Sequence, residues 1–456
     1  MKLNLIAASL CMLGLVSAPA FANHHNKHHN QSPEPVVKHD YKDYKGEAMP
    51  LCTVSTYTKT LVEMNQNVGR SLPNPCNPGW YDRIRVSGGI NVDLGKWGNR
   101  NANLMGENYQ RLSLNDVYLN IDGTVNDWTR VFASISYMTA TTNGNPGIFN
   151  NRGLAEYSAA YANNIGGTPN NTLQVEQAFG VFGNFEVTPI YLQIGKSFQD
   201  FSRYEIHPIT RSLTQVLSET LATSLKLGFL ANGFNGGVYV FNDPINKIGS
   251  NSSPTNYGVS LGYALINDEL GFDLGAGYLY NIIAANDVAY AVTNFTNGGY
   301  NNRVGGVALY GDVNYGPFML AARYTQATQQ FNVNDLTKYG SANVNNPLGI
   351  IGNGFGPIVP IVGASGAKPW AAGIQAGYGF DVWGKSQNVY LGYQASREAA
   401  GLNMPKGRWL AGYGIDVVKD TSLAIEWDHD QQFSISNGGT GNTTNLVSIR
   451  ASAKFS

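Results

Sequence analysis

The residues best equipped for chemistry in this sequence fall into three separate groups. The first is a histidine cluster. His24, His25, His28 and His29 crowd together near the N-terminus, and five of the seven histidines lie at or before His39. If a leader is cleaved after Ala22, His25 becomes the third residue. A free α-amine, two backbone amides and that imidazole would form a square-planar nitrogen set suited to Cu(II) or Ni(II). The same run also reads as a polar, His-rich spacer, which is the simpler account. The second group is Cys52 and Cys76. An even count in an exported chain favours a disulfide between them over two unpaired thiols. The third group is a set of ionised residues, each on the polar face of a segment in which apolar and polar residues alternate. It comprises Arg83, Arg85, Arg130, Glu176, Lys226, Arg323, Arg408, Glu426, Asp428 and Arg450, with further acids such as Asp122, Asp273 and Asp312.

The elements that must position these groups divide the chain in three. Residues 1–22 read as a secretory signal peptide, with Lys2 as its charged start, an apolar stretch from Leu3 to Val16, and Ala20-Phe21-Ala22 as the cleavage site. Residues 23–80 form a polar, His-rich extension clipped by Cys52 and Cys76 and placed in the periplasm. It is too short to plug a large barrel. Residues 81–456 show the period of two that belongs to strands. Ile84, Val86, Ile90, Val92 and Leu94 share one face, and Arg83, Arg85, Ser87, Asn91 and Asp93 share the other. Similar segments recur near 112–125, 129–138, 172–183, 190–198, 223–230, 234–242, 257–266, 270–280, 304–315, 317–328, 369–381, 387–397, 407–417, 421–432 and 445–455, sixteen strands in all.

The connectors alternate in length. Short turns such as Asn232-Gly233, Gly316-Pro317 and Lys419-Asp420 are interleaved with long loops rich in Asn, Gly and Ser. An even strand count, alternating connector lengths and a polar face opposite an apolar one predict an all-β fold: a sixteen-stranded antiparallel transmembrane β-barrel, porin-like, in the bacterial outer membrane. Lipid would meet the apolar face, and Trp80, Trp128 and Trp383 would form a girdle at the short-turn side.

Composition agrees. Of 456 residues only 13% are charged, against roughly 25% in ordinary soluble domains. With 43% apolar residues the chain can bury a core, which argues against disorder. A net charge of −1 leaves no basic excess for a nucleic-acid partner. No apolar run after the leader approaches the roughly 20 residues of a spanning helix.

Sixteen strands leave room for an aqueous lumen. Its expected wall has mixed signs, and barrel closure would bring Arg408, Glu426, Asp428, Arg450, Arg83 and Arg85 into alternating rows. These rows would either orient a polar solute or simply pair as internal salt bridges. The third long loop, between strands five and six, supplies Arg203, Tyr204, His207 and Arg211 as candidate constriction residues if it folds inward. The longest loop, 329–368, carries the apolar runs Ile350-Ile351 and Ile358–Val362. No nucleophile–base signature such as G-x-S-x-G or H-E-x-x-H is present, so an enzyme is not expected.

The run from His207 to Thr220, with Gln174–Phe179 and Tyr191–Lys196, resembles the LbtU family of siderophore porins from Legionella-like bacteria. The resemblance in motifs covers about 170–230; in layout it covers the barrel. It implies a sixteen-stranded outer-membrane barrel importing a ferric siderophore without a plug domain. The His-rich N-terminal extension departs from that family, whose N-terminus is a coiled coil. Two other readings stay open: a general diffusion porin, and a surface-exposed structural or adhesive protein. Many sixteen-stranded porins are homotrimers, which this chain could also form.

Overall fold

Alternation in the sequence becomes sixteen antiparallel strands in the computed structural model, closed into one barrel. The structure describes residues 41–42, 48–49, 83–97, 109–138, 172–185, 187–203, 209–250, 254–266, 270–296, 299–338, 365–402, 404–437, 439 and 441–455. The first eight barrel strands are β1 (Ile84–Trp97), β2 (Tyr109–Asn126), β3 (Thr129–Met138), β4 (Thr172–Phe182), β5 (Ile190–Phe198), β6 (Leu221–Ala231), β7 (Phe234–Asn242) and β8 (Thr255–Ile266). The rest are β9 (Leu270–Leu279), β10 (Gly306–Tyr315), β11 (Phe318–Ala327), β12 (Trp370–Val382), β13 (Lys385–Arg397), β14 (Gly407–Val418), β15 (Thr421–Gln431) and β16 (Thr443–Phe455). Each expected strand is present, with ends displaced by at most a few residues.

Every strand pairs with its sequence neighbour, and β16 closes on β1 with Phe455 opposite Gly88 and Leu446 opposite Trp97. Closure removes the unpaired edges that an open sheet would present. The short turns include Asp127-Trp128, Asn232-Gly233, Gly316-Pro317, Trp383-Gly384 and Lys419-Asp420, all at one end. Trp383 adopts a positive φ of 55° and is 88% exposed, so its ring stands clear at that rim. Trp128 is exposed at the same end, whereas Trp80 lies outside the described residues.

The two faces differ in the sense the sequence predicts. Outward positions are exposed and apolar on every side of the barrel, as at Val131, Val238, Leu309, Leu391 and Ile449. Inward positions carry buried Arg85, Asn120, Glu176, Gln193, Lys226, Gln375 and Glu426. Burial of this kind reverses the arrangement of a water-soluble protein, where ionised side chains face out. Inward tyrosines use the glycines of neighbouring strands as seats. Tyr191 lies over Gly228 and Tyr239 over Gly258, each directly opposite in register, and a Cβ at either glycine would stand 2.3 Å from the ring.

Among the described residues, two short helices sit in the long loops rather than in the wall: α1 (Leu213–Ser218), between β5 and β6, and α2 (Asn286–Thr296), between β9 and β10. Neither was expected, because the loops carrying them read as irregular. They join a buried apolar cluster at the long-loop end that includes Phe201, Leu217, Ile282, Val292, Phe331 and Met404. This cluster draws on six of the long loops, so the barrel has a second core inside its mouth. His24, His25, His28, His29, Cys52, Cys76 and the apolar runs within 350–362 lie outside the described residues.

Candidate functional site: a lumen crossed by one loop

The loop from β5 to β6 leaves the wall with Gln199 donating its backbone N–H to Thr220 O at 2.8 Å, which closes the neck. Asp200 ion-pairs with Lys226 of β6. Phe201 then crosses the inner surface of β9 so closely that a Cβ on Gly277 would stand 2.1 Å from its carbonyl oxygen. Arg203 follows, 3.1 Å from Asp273 of β9 and stacked over the Tyr310 ring of β10. Tyr204 and His207 lie outside the described residues.

The chain re-emerges at the far wall. Thr210 donates its backbone N–H to Glu426 Oε1 at 2.7 Å and its hydroxyl to Asp428 Oδ2 at 2.6 Å, both on β15. Arg408 of β14 donates to the Arg211 carbonyl at 3.3 Å. Gln394 of β13 accepts the Leu213 N–H at 2.8 Å. In the circular order of sixteen strands, β14 is eight places from β6 in either direction. The loop therefore spans the lumen from one wall to the diametrically opposite one.

On the far side Ser212 caps α1 by accepting the Gln215 N–H at 3.2 Å. Leu213 and Leu217 turn into the apolar cluster. The Arg211 guanidinium ties the loop to α2 by pairing with Glu219 at 3.1 Å and Asp287 at 2.6 Å. Asn286 adds a backbone N–H to Glu219 O at 2.8 Å.

Burial pushes the Asp287 carboxyl above the usual aspartate range, and the Arg211 charge opposes this only in part. The ionised form is thus disfavoured in the folded state. That penalty is present above the raised value and vanishes below the unfolded aspartate value of about 4. Asp287→Asn is therefore expected to raise the melting temperature at pH 7–8, with the gain fading below about pH 4. Melting curves of the two proteins across that range check it; a variant less stable at pH 7–8 would contradict it.

Several of the wall charges resolve into pairs. Arg408 makes a two-pronged contact with Asp430, at 2.6 and 2.8 Å, and Arg450 another with Asp93, at 2.7 Å for each prong. Arg323 holds Asp312 at 2.9 Å, and Arg85 lies 3.8 Å from Asp122. Glu176 is fully buried and accepts from Ser134 at 3.4 Å. Glu426 and Asp428 do not alternate with Arg408 and Arg450 in charged rows. They hold the crossing loop, and Tyr390 also donates to Glu426, at 2.7 Å. Arg83 precedes β1, exposed at the short-turn rim, and donates to Val125 O at 3.5 Å. Thr210, Asp93 and Asp430 were not singled out from the sequence. The ionic partners were hidden because strand register decides them, and Thr210 because a lone threonine in a loop carries no pattern.

No family model matches the chain. A UPF0422 protein of Coxiella burnetii is 27% identical over 271 residues, covering 59% of this chain and 53% of that protein. A UPF0422 protein of Legionella pneumophila strain Lens is 24% identical over 319 residues, covering 63% and 54%. The chain spans about half the length of the curated relatives it matches. Their name is UPF0422 and not that of the siderophore porins which segment 170–230 resembles. Among solved structures, OprB of Pseudomonas putida aligns with a TM-score of 0.53 at 10% identity, covering 82% of this chain and 94% of that one. OmpF of Salmonella typhi in complex with daunomycin gives 0.51 at 12%, and the outer membrane channel DcaP of Acinetobacter baumannii gives 0.50 at 12%; each covers 82% of this chain and 97% of the other. The chain is thus similar in sequence to UPF0422 proteins of Coxiella and Legionella, and in fold to the barrels of OprB, OmpF and DcaP.

Proposed function

We propose that this protein is an outer-membrane channel that passes small polar solutes through a lumen narrowed by loop 199–220. The observation that carries the reading is the span of that loop, anchored at β5 and β6 and again on β13, β14 and β15. A barrel built only as a scaffold has no need of a strut across its interior lined with ionised groups. The exposed apolar faces support a membrane setting, because ionised groups are costly there and are kept inward. The fold shared with DcaP, described as an outer membrane channel, supports the same conclusion. A ferric siderophore is the cargo we favour, on the resemblance of segment 170–230.

Planar-bilayer recording of the purified full chain tests this. Discrete conductance steps are expected, and a ferric siderophore added in the micromolar range should reduce the current in a concentration-dependent way. Steps that ignore the chelate would sink the cargo and leave a general diffusion channel. Absence of any steps from folded, inserted protein would sink the channel itself.

A further inference from the structure

We propose that Arg130, with Arg85, forms an oxyanion-binding site on the lumen wall at the short-turn end, taking a carboxylate or phosphate group of a solute. The inference deepens the channel reading and rests on it for the site's role in transport. It does not rest on it for binding.

The observation is an imbalance. Five cations inside the barrel are each matched by an acid: Lys226 with Asp200, Arg203 with Asp273, Arg323 with Asp312, Arg408 with Asp430 and Arg450 with Asp93. Arg130 is the exception. It is 95% buried, since only 5% of it is exposed, and its Nε has no hydrogen-bond partner. Among the described residues no ion pair within 4.0 Å involves it. A buried guanidinium without a partner is costly, so a site of this kind is one that an anion completes.

Register sets its neighbours. Arg85 on β1 faces Asp122 on β2, and Thr124, two residues along on the same face of β2, faces Arg130 on β3. Arg85, Asp122 and Arg130 therefore occupy three consecutive strands at nearly one level. The Arg85 guanidinium lies 3.8 Å from Asp122. Asp127 in the adjoining turn is the other acid whose charge reaches Arg130. Among the described residues, Arg83 at the rim adds a third guanidinium to a patch whose acids are Asp122 and Asp127. Guanidinium forks match carboxylate and phosphate oxygens in pairs, which sets the ligand class.

The site lies near the Asp127-Trp128 turn, at the end opposite the crossing loop's apolar cluster. A solute that clears the loop meets it last if it enters from the long-loop side. An anionic group would then be drawn through the narrow section and held before release.

Isothermal titration of the detergent-solubilised full chain at low ionic strength, with citrate and separately with inorganic phosphate, tests the site. Wild type should bind at least one of the two saturably. Arg130→Gln should weaken that binding tenfold or more, while Arg130→Lys should retain part of it. Lys247→Gln removes an equal charge from an exposed position in the connection between β7 and β8 and should change nothing. Unchanged migration on unheated gels controls for folding of each variant. In bilayers under a KCl gradient, Arg130→Gln should shift the reversal potential toward cation preference. No saturable binding to wild type, equal affinity in Arg130→Gln, or an equal loss in Lys247→Gln would each overturn the site. Binding lost on Arg130→Gln from a protein that conducts no ions would uphold the site and overturn the channel.

Discussion

Replacing residues 201–219 with a short Gly-Ser link is expected to raise single-channel conductance several-fold. The segment crosses the full width of the lumen, so its removal joins spaces that it now separates. A gentler variant tests the anchor alone. Thr210→Val keeps the shape of the side chain but removes the hydroxyl that reaches Asp428 at 2.6 Å. Asp428 is 1% exposed, so its carboxylate would lose a partner that water does not readily replace. Hydrogen bonds to charged groups contribute about 1.5–3 kcal/mol each, a factor of roughly 10 to 150 in the docked population. The backbone bond from Thr210 to Glu426 survives, so the loop should flicker and not detach. The expected trace shows full-size openings with added noise for Thr210→Val, and quiet, larger openings for the excised protein. Conductance unchanged by excision, with folded barrels verified by their gel migration, would mean that the loop does not limit flow.

The barrel itself is legible in the sequence, and the contents of its mouth are not. Strand limits such as 129–138, 190–198 and 234–242 coincide with the structure because two opposed environments force alternation on every residue between turns. The turns are legible for the same reason: Asn232-Gly233 and Lys419-Asp420 break the pattern where it must break. Loop 199–220 is partly legible. Arg203 and Arg211 stand out as the two arginines of that loop, and both take part in ionic contacts inside the barrel. Their partners Asp273 and Asp287 could not be matched to them, since 70 or more positions separate each pair and only the three-dimensional crossing unites them. The second core was overlooked although it left a trace. Ile282, Ile283, Val288 and Val292 make the β9–β10 loop more apolar than a solvated loop needs, with the last two at helical spacing. A loop of this length packs into helix only because neighbouring loops cover it, and that cover is invisible to a local pattern.

The seam where the barrel closes should be its most sensitive point. Asp93 of β1 is fully buried and accepts both prongs of Arg450 from β16, at 2.7 Å each, across 357 positions of sequence. Removing one member of a buried pair strands the other charge and costs about 3–5 kcal/mol. Asp93→Ala is therefore expected to lower thermal stability sharply, and to do so more than Asp312→Ala, whose acid is less buried and whose arginine keeps two backbone carbonyls. Melting of the folded band on gels run after graded heating gives the comparison. The double variant Asp93→Leu with Arg450→Met distinguishes stranded charge from lost closure. Filling the same space without ions should recover most of the loss, because desolvation of the pair largely offsets its attraction. If the double variant melts as early as Asp93→Ala, the pair does more than cancel its own burial, and its geometry directs the closing of β16 onto β1. If Asp93→Ala melts with the wild type, the seam is held by its ten paired residues of backbone alone, from Leu446–Trp97 to Phe455–Gly88.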